Sequence, residues 1–284
     1  MESSVTKTRP MLGVLENRLI KTSMRVMFAP VFGWRGPDAE DVRRFQVLGI
    51  DNSTLDVACF ETDRTIAKGV VILCHPFLKY GMNYFFQNRY HQWLLGAGYH
   101  VVGFNFKGFG TSTLAGVSFA DDVSSIASWA RAKYQGLSLH LLGASFGGYH
   151  GVHALASKSP GISSAVLDSV PAMIASYFKG GLTGATMRWL SRSRWAEVTG
   201  TQSILTSLAA VREVPCLFLY GNRDDFIVKH EIECIKNVCK TAKTVMYENC
   251  SHLEIRKRYP DQYMQGIIEF YDAHGMRATG SVDG

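Results

Sequence analysis

The run Leu137-Ser138-Leu139-His140-Leu141-Leu142 leads straight into Gly143-Ala144-Ser145-Phe146-Gly147, and Tyr149 to Lys158 follow at once. The first stretch is apolar and suits a buried strand. The pentapeptide is a G-x-S-x-G pattern, and the last stretch suits a helix. A nucleophilic serine must sit on a sharp strand-to-helix turn, and small residues two positions either side let the backbone pack that tightly. The helix that begins there aims free N–H groups and a positive partial charge at the serine. G-x-S-x-G alone occurs by chance in glycine-rich loops. The strand before it and the helix after it give it meaning.

Outward from this turn, strand-type and helix-type segments alternate. Phe45–Ile50 and Thr54–Phe60 read as a hairpin around Asp51-Asn52-Ser53. Gly69–Cys74 is a continuous apolar run suited to a buried strand, and Tyr84 to Leu95 reads as a helix ending at Gly96 and Gly98. A strand over Tyr99–Phe106 and a helix over Asp121–Tyr134 precede the serine turn. After it come strands at Ser164–Leu167, Cys216–Tyr220 and Thr244–Tyr247, with helices over His230–Cys239 and Gln262–Ala273. Such alternation implies a mostly parallel central sheet with helices on both faces. Between Pro171 and Val214 it stops, and a short helical cap inserted above the sheet is expected over about 171–214.

Over 284 residues the composition is 46% hydrophobic and 19% charged, which implies a large buried core and excludes a disordered chain. The net charge of +6 is not gathered into an aromatic-interleaved basic stripe, so no nucleic-acid partner is expected. Six cysteines fall singly with no metal-finger spacing, as reduced thiols would in a cytoplasmic protein. No signal peptide is recognisable, and no stretch reaches the roughly 18 uninterrupted apolar residues of a membrane span. Residues 1–44 form an amphipathic segment, with Leu12, Leu15, Leu19, Met24, Met27 and Phe28 interleaved with Arg18, Lys21 and Arg25. It is expected to pack on its own domain or a homodimer mate, an anionic membrane surface being the alternative. Residues 45–274 make the domain, and 275–284 a flexible tail.

A serine nucleophile needs a base and an acid that orients it. Gly221-Asn222-Arg223-Asp224-Asp225 follows one late strand, and Asn249-Cys250-Ser251-His252 follows the next. Both loops lie at the C-terminal sheet edge, where open α/β sheets place their sites.

With these residues in view, the chain from about Phe45 to Tyr271 resembles an α/β-hydrolase fold serine hydrolase of a short-cap group that includes esterases, thioesterases and serine aminopeptidases. Cys74-His75-Pro76-Phe77 resembles the family's oxyanion strand end, with Pro76 where glycine is usual. Asn105-Phe106-Lys107-Gly108-Phe109-Gly110-Thr111-Ser112 resembles its D-x-R-G-x-G-x-S loop, with Asn105 and Lys107 in place of Asp and Arg. The resemblance implies Ser145 as nucleophile, His252 as base and Asp224 as orienting acid. Asp225 and Asp168 remain alternatives for the acid. It implies oxyanion donors at the backbone N–H of Phe146 and Phe77, since Pro76 has none.

The implied activity is cleavage of a carboxylic ester or thioester through an acyl-enzyme. Alternatives are a carrier-protein thioesterase, an acyltransferase, or a ligand-binding protein without turnover. Tyr80, Phe178, Leu182, Met187, Trp189 and Trp195 are the expected lining of an apolar acyl pocket. Lys179, Arg188, Arg192 and Arg194 interleave with them as a solvated face, or as a handle for coenzyme A or an acidic acyl carrier protein. The expected substrate is a small acyl compound. No cofactor and no metal are expected, His150 and His153 being packed residues rather than ligands.

Overall fold

The computed structural model describes residues 42–77, 80–157, 161–174, 202–239 and 242–275. The amphipathic segment up to residue 41, the tail from 276 and residues 175–201 of the expected cap lie outside them.

An antiparallel pair opens the domain, β1 (Arg43–Leu48) and β2 (Thr54–Phe60). The parallel strands are β3 (Gly69–Cys74), β4 (Tyr99–Phe104), β5 (Leu139–Ala144), β6 (Ile162–Asp168), β7 (Cys216–Gly221) and β8 (Ala242–Tyr247). The order across the sheet is β1-β2-β4-β3-β5-β6-β7-β8, with β2 antiparallel to β4. Across the sheet the chain moves one way from β3 to β4 and the other way from β5 to β6. The C-terminal ends of β3 and β5 therefore flank a topological switch point, the crevice where such sheets bind ligands.

The central strands are apolar throughout because both faces are covered. Along β3, Val70, Ile72 and Cys74 enter one core, while Val71 and Leu73 enter the other. The first core is closed by α3 (Phe119–Lys133), α4 (Phe146–Ala156), α5 (Ile204–Ala210) and α6 (Lys229–Val238). The second is closed by α1 (Asn83–Gln87), α2 (Tyr90–Ala97), α7 (Ile255–Arg258) and α8 (Pro260–His274). Among the described residues no helix is long and apolar enough to cross a membrane.

Several boundaries differ from the sequence expectation. The helix expected over 84–95 is two helices, broken at Arg89 in the left-handed region with φ 59°. The break buries Tyr90 and His91 and brings the Tyr90 hydroxyl to 3.4 Å from that of Tyr263. The first strand ends at Leu48 rather than residue 50. The Gly49 N–H turns back to Ser53 O (2.7 Å), and the Ile50 N–H goes to Ser125 Oγ (3.1 Å). Strand β4 stops at Phe104 because the Phe106 N–H donates to His75 Nε2 (3.2 Å) instead of continuing a ladder.

Candidate active site

Three glycines make the serine turn possible. A Cβ on Gly147 would stand 2.0 Å from the carbonyl oxygen of Cys74, and one on Gly143 would stand 2.5 Å from Gly148 Cα. The first turn of α4 therefore rests directly on the end of β3. Ser145 between them holds φ 47°, a conformation that persists only where surroundings impose it. Its N–H is used in the sheet, donating to Asp168 O at 2.8 Å. Phe146, the first residue of α4, has no intrahelical acceptor for its N–H, which opens beside the serine.

His252, in the loop after β8, places Nε2 2.9 Å from Ser145 Oγ and Nδ1 2.8 Å from Asp224 Oδ2. A carboxylate only accepts hydrogen bonds, so Nδ1 carries the proton and Nε2 is left to accept the serine hydroxyl. Asp224 is held in turn. Its Oδ1 accepts from Phe226 N (2.9 Å) and Ile227 N (3.1 Å), a turn built by the side chain itself. Asp224 is buried, whereas its neighbour Asp225 is exposed. The histidine and acid loops are stitched to each other. Arg223 N donates to Cys250 O (2.9 Å), Asn222 N to Tyr247 O (2.9 Å), and Asn249 N to Asn222 Oδ1 (2.7 Å).

Glu254 closes the histidine loop from the other side, accepting from Ser251 N (3.0 Å) and Ser251 Oγ (2.9 Å). These bonds, led by the backbone one, pull its carboxyl down to about 2. Phe226 sets its ring edge-on to the imidazole, with centroids 5.1 Å apart.

On the β3 side, Phe77 lies in the loop after the strand with its ring against Phe146 (5.3 Å) and Phe109 (5.8 Å). His75 braces this loop. Its Nδ1 donates to Pro76 O (2.8 Å) and its Nε2 accepts from Phe106 N, while burial lowers its pKa to about 4 and keeps it neutral. Asn105 ties the next stretch, accepting from Met82 N (2.9 Å) and donating to Asp56 Oδ2 (3.1 Å). Lys107 is fully buried in a cluster with Asp51 and Asp122 that anchors the loop beneath. Tyr80 is exposed in the turn into α1. Phe178, Leu182, Met187, Trp189 and Trp195 lie outside the described residues, as do Lys179, Arg188, Arg192 and Arg194.

A family model described as alpha/beta hydrolase fold matches residues 69–183. The Pyrococcus furiosus esterase Pf2001 superposes with a TM-score of 0.66 at 17% identity, covering 86% of this chain and 98% of its own. The chain has the α/β-hydrolase fold. A thermostable carboxyl esterase from Bacillus coagulans gives a TM-score of 0.65 at 14% identity, covering 83% of this chain and 99% of its own. Proline iminopeptidase from Mycobacterium smegmatis gives 0.62 at 15%, with 82% and 98% covered. No curated protein matches the sequence significantly. At these identities the likeness is one of fold, and chemistry has to be argued from the site.

The two histidines of α4, His150 and His153, lie away from Ser145 and His252 in the core. His153 Nδ1 pairs with Ser207 Oγ at 2.7 Å, and burial lowers its pKa to about 4. His150 is buried among Phe106, Phe119 and Phe146, and neither ring nitrogen has a hydrogen-bond partner among the described residues. Sequence reasoning passed over Asn222, Phe226, Ser169 and Tyr263. It also missed Glu254, although Ser251-x-x-Glu254 is a readable capping pattern.

Proposed function

We propose that the protein is a serine hydrolase that cleaves a carboxylic ester or thioester through an acyl-enzyme. The observation that carries this is the continuous hydrogen-bonded chain Ser145 Oγ–His252–Asp224, at 2.9 and 2.8 Å, on the C-terminal edge of the sheet. In this reading Ser145 Oγ attacks the acyl carbon while its proton passes to His252 Nε2. Asp224 holds the imidazole in the tautomer that can accept and stabilises the imidazolium that results. The developing oxyanion is stabilised by the N–H groups of Phe146 and Phe77, each such donor being worth about 3 kcal/mol.

Collapse of the tetrahedral adduct breaks the bond to the leaving alcohol or thiol, which takes the proton from Nε2. Water then attacks the acyl-enzyme, with His252 again as base, and Ser145 is regenerated. Phe226, with its ring half-exposed beside the imidazole, adds an apolar surface next to the base. A binding protein without turnover has no need of a serine at φ 47° or of an acid fixed by two backbone N–H groups, which favours an enzyme.

The test is reaction with a fluorophosphonate probe, read by intact mass, for the wild type and Ser145→Ala. One adduct on the wild type and none on the variant is expected, with turnover of acyl esters or acyl-coenzyme A thioesters. No adduct on the folded wild type would overturn the assignment.

A further inference from the structure

One buried dipeptide outside the triad touches both of its movable halves. Asp168 ends β6 and Ser169 follows it, both fully buried. The main-chain carbonyl of Asp168 accepts the N–H of Ser145 at 2.8 Å. Its side chain faces the other way in function. Oδ1 accepts from Ser169 Oγ (2.8 Å), and Oδ2 accepts from the hydroxyl of Tyr263 on α8 (2.7 Å). Because the serine hydroxyl spends its proton on the carboxylate, its lone pairs point away from Asp168. There they receive the N–H of Leu253 at 3.2 Å, the residue after His252. Ser169 holds φ 53° and Leu253 φ 58°, so two consecutive links of this path sit in the left-handed region. The Ser169 N–H is fixed to Leu219 O on β7 (2.9 Å), which leaves the dipeptide no freedom to drift.

We propose that Asp168 and Ser169 are positioning residues that set the distance from nucleophile to base. One peptide carbonyl registers Ser145, and one hydroxyl, aimed by the carboxylate, registers the loop that carries His252. This rests on the hydrolase assignment above and extends it. Asp168, weighed from sequence as an alternative triad acid, acts here without touching the imidazole, which faces Asp224. Tyr263 steadies the carboxylate from the far side, so α8 is tied into the site through a path of hydroxyls that begins at Tyr90.

The experiment compares wild type, Ser169→Ala, Ser169→Cys and Asp168→Asn in acyl-ester kinetics and in the rate of fluorophosphonate labelling. Misplacing a catalytic group by an ångström costs up to about 10²-fold, so kcat and the labelling rate should fall about 10- to 100-fold in Ser169→Ala, and by less in Asp168→Asn, whose amide oxygen can still accept the Ser169 hydroxyl. KM should stay near the wild-type value, because no substrate contact is removed. Ser169→Cys keeps the size and a weak donor and acceptor, so its kcat should lie between Ala and Ser while its Tm matches that of Ser169→Ala. Activity that follows the hydroxyl rather than Tm is the signature of positioning. Folded Ser169→Ala with wild-type kcat and labelling rate would overturn the proposal and leave the hydrolase assignment standing. A wild type that does not label at all would overturn both.

Discussion

Asp224→Asn tests the proposed triad at its most constrained atom. The replacement is isosteric, but an amide has one acceptor and one donor where the carboxylate has two acceptors. In the wild type Oδ1 receives Phe226 N and Ile227 N, and Oδ2 receives His252 Nδ1. The asparagine must turn its oxygen to one side only. Facing the two backbone N–H groups with the NH2 instead would forfeit both bonds, at about 1–1.5 kcal/mol each. The oxygen therefore stays with the backbone and the NH2 is presented to His252. That forces Nδ1 to accept, moves the ring proton to Nε2, and leaves nothing to take the proton of Ser145. A preference of about 2–3 kcal/mol keeps the unproductive tautomer in roughly 30- to 150-fold excess. Loss of the negative charge beside the developing imidazolium adds to this, and a total fall in kcat near 10⁴ is expected, as in serine-protease triads. The assay is kcat and kcat/KM on an acyl p-nitrophenyl ester, with Asp225→Asn as control. Asp225 is exposed on the same loop, and its variant should stay within about threefold of wild type, the range of ordinary surface changes. If Asp224→Asn keeps activity within a factor of ten, or Asp225→Asn is the worse enzyme, the tautomer argument is wrong.

Other perturbations probe the frame. Lys107→Met would leave the buried Asp122 carboxylate without its cation and beside the part-buried Asp51, and a loss of about 3–5 kcal/mol is expected in urea unfolding; a change under 1 kcal/mol would refute the ion cluster. His150→Leu removes a ring whose nitrogens have no partner among the described residues, and a gain of about 1–2 kcal/mol is expected at pH 8. Burial holds the His150 pKa well below its ordinary value, so in the wild type only the unfolded chain gains that proton as pH falls through about 6.5. The wild type loses that stability and the variant does not, so the gain should be about 1.4 kcal/mol larger at pH 5.5. An equal gain at both pH values would show that His150 titrates freely when folded.

Much of this molecule could be read without coordinates because its informative signals are local. β3 falls at the expected residues, since a continuous apolar run bounded by polar turns has one way to be buried, and β2 does so because the polar turn Asp51-Asn52-Ser53 sets its start. The serine turn needs glycine at positions 143 and 147 for reasons of backbone contact, which a sequence displays directly. For the acid, the family resemblance implied Asp224 and left Asp225 and Asp168 as alternatives; in the structure Asp224 faces His252 Nδ1 and takes two backbone N–H groups, while Asp225 is exposed.

What tertiary structure decided is the set of contacts between residues far apart in the chain. Arg89 breaks a segment whose pattern is helical throughout, because Tyr90 must turn inward to meet Tyr263 on another helix. Ser169, Tyr263 and Asn222 carry no pattern at all. A hydroxyl or an amide is ordinary in a loop, and its use depends on which N–H or carboxylate the sheet order brings opposite it. Strand order is set by which faces and ends pack together, so Asp168 and Leu253 meet through Ser169 only once β5, β6, β7 and β8 lie side by side. The sequence alone determined the glycine-flanked turn at Ser145 and the order in which Ser145, Asp224 and His252 follow along the chain. The fold alone determined how far apart those groups stand, because distance across a sheet is a property of packing rather than of spacing.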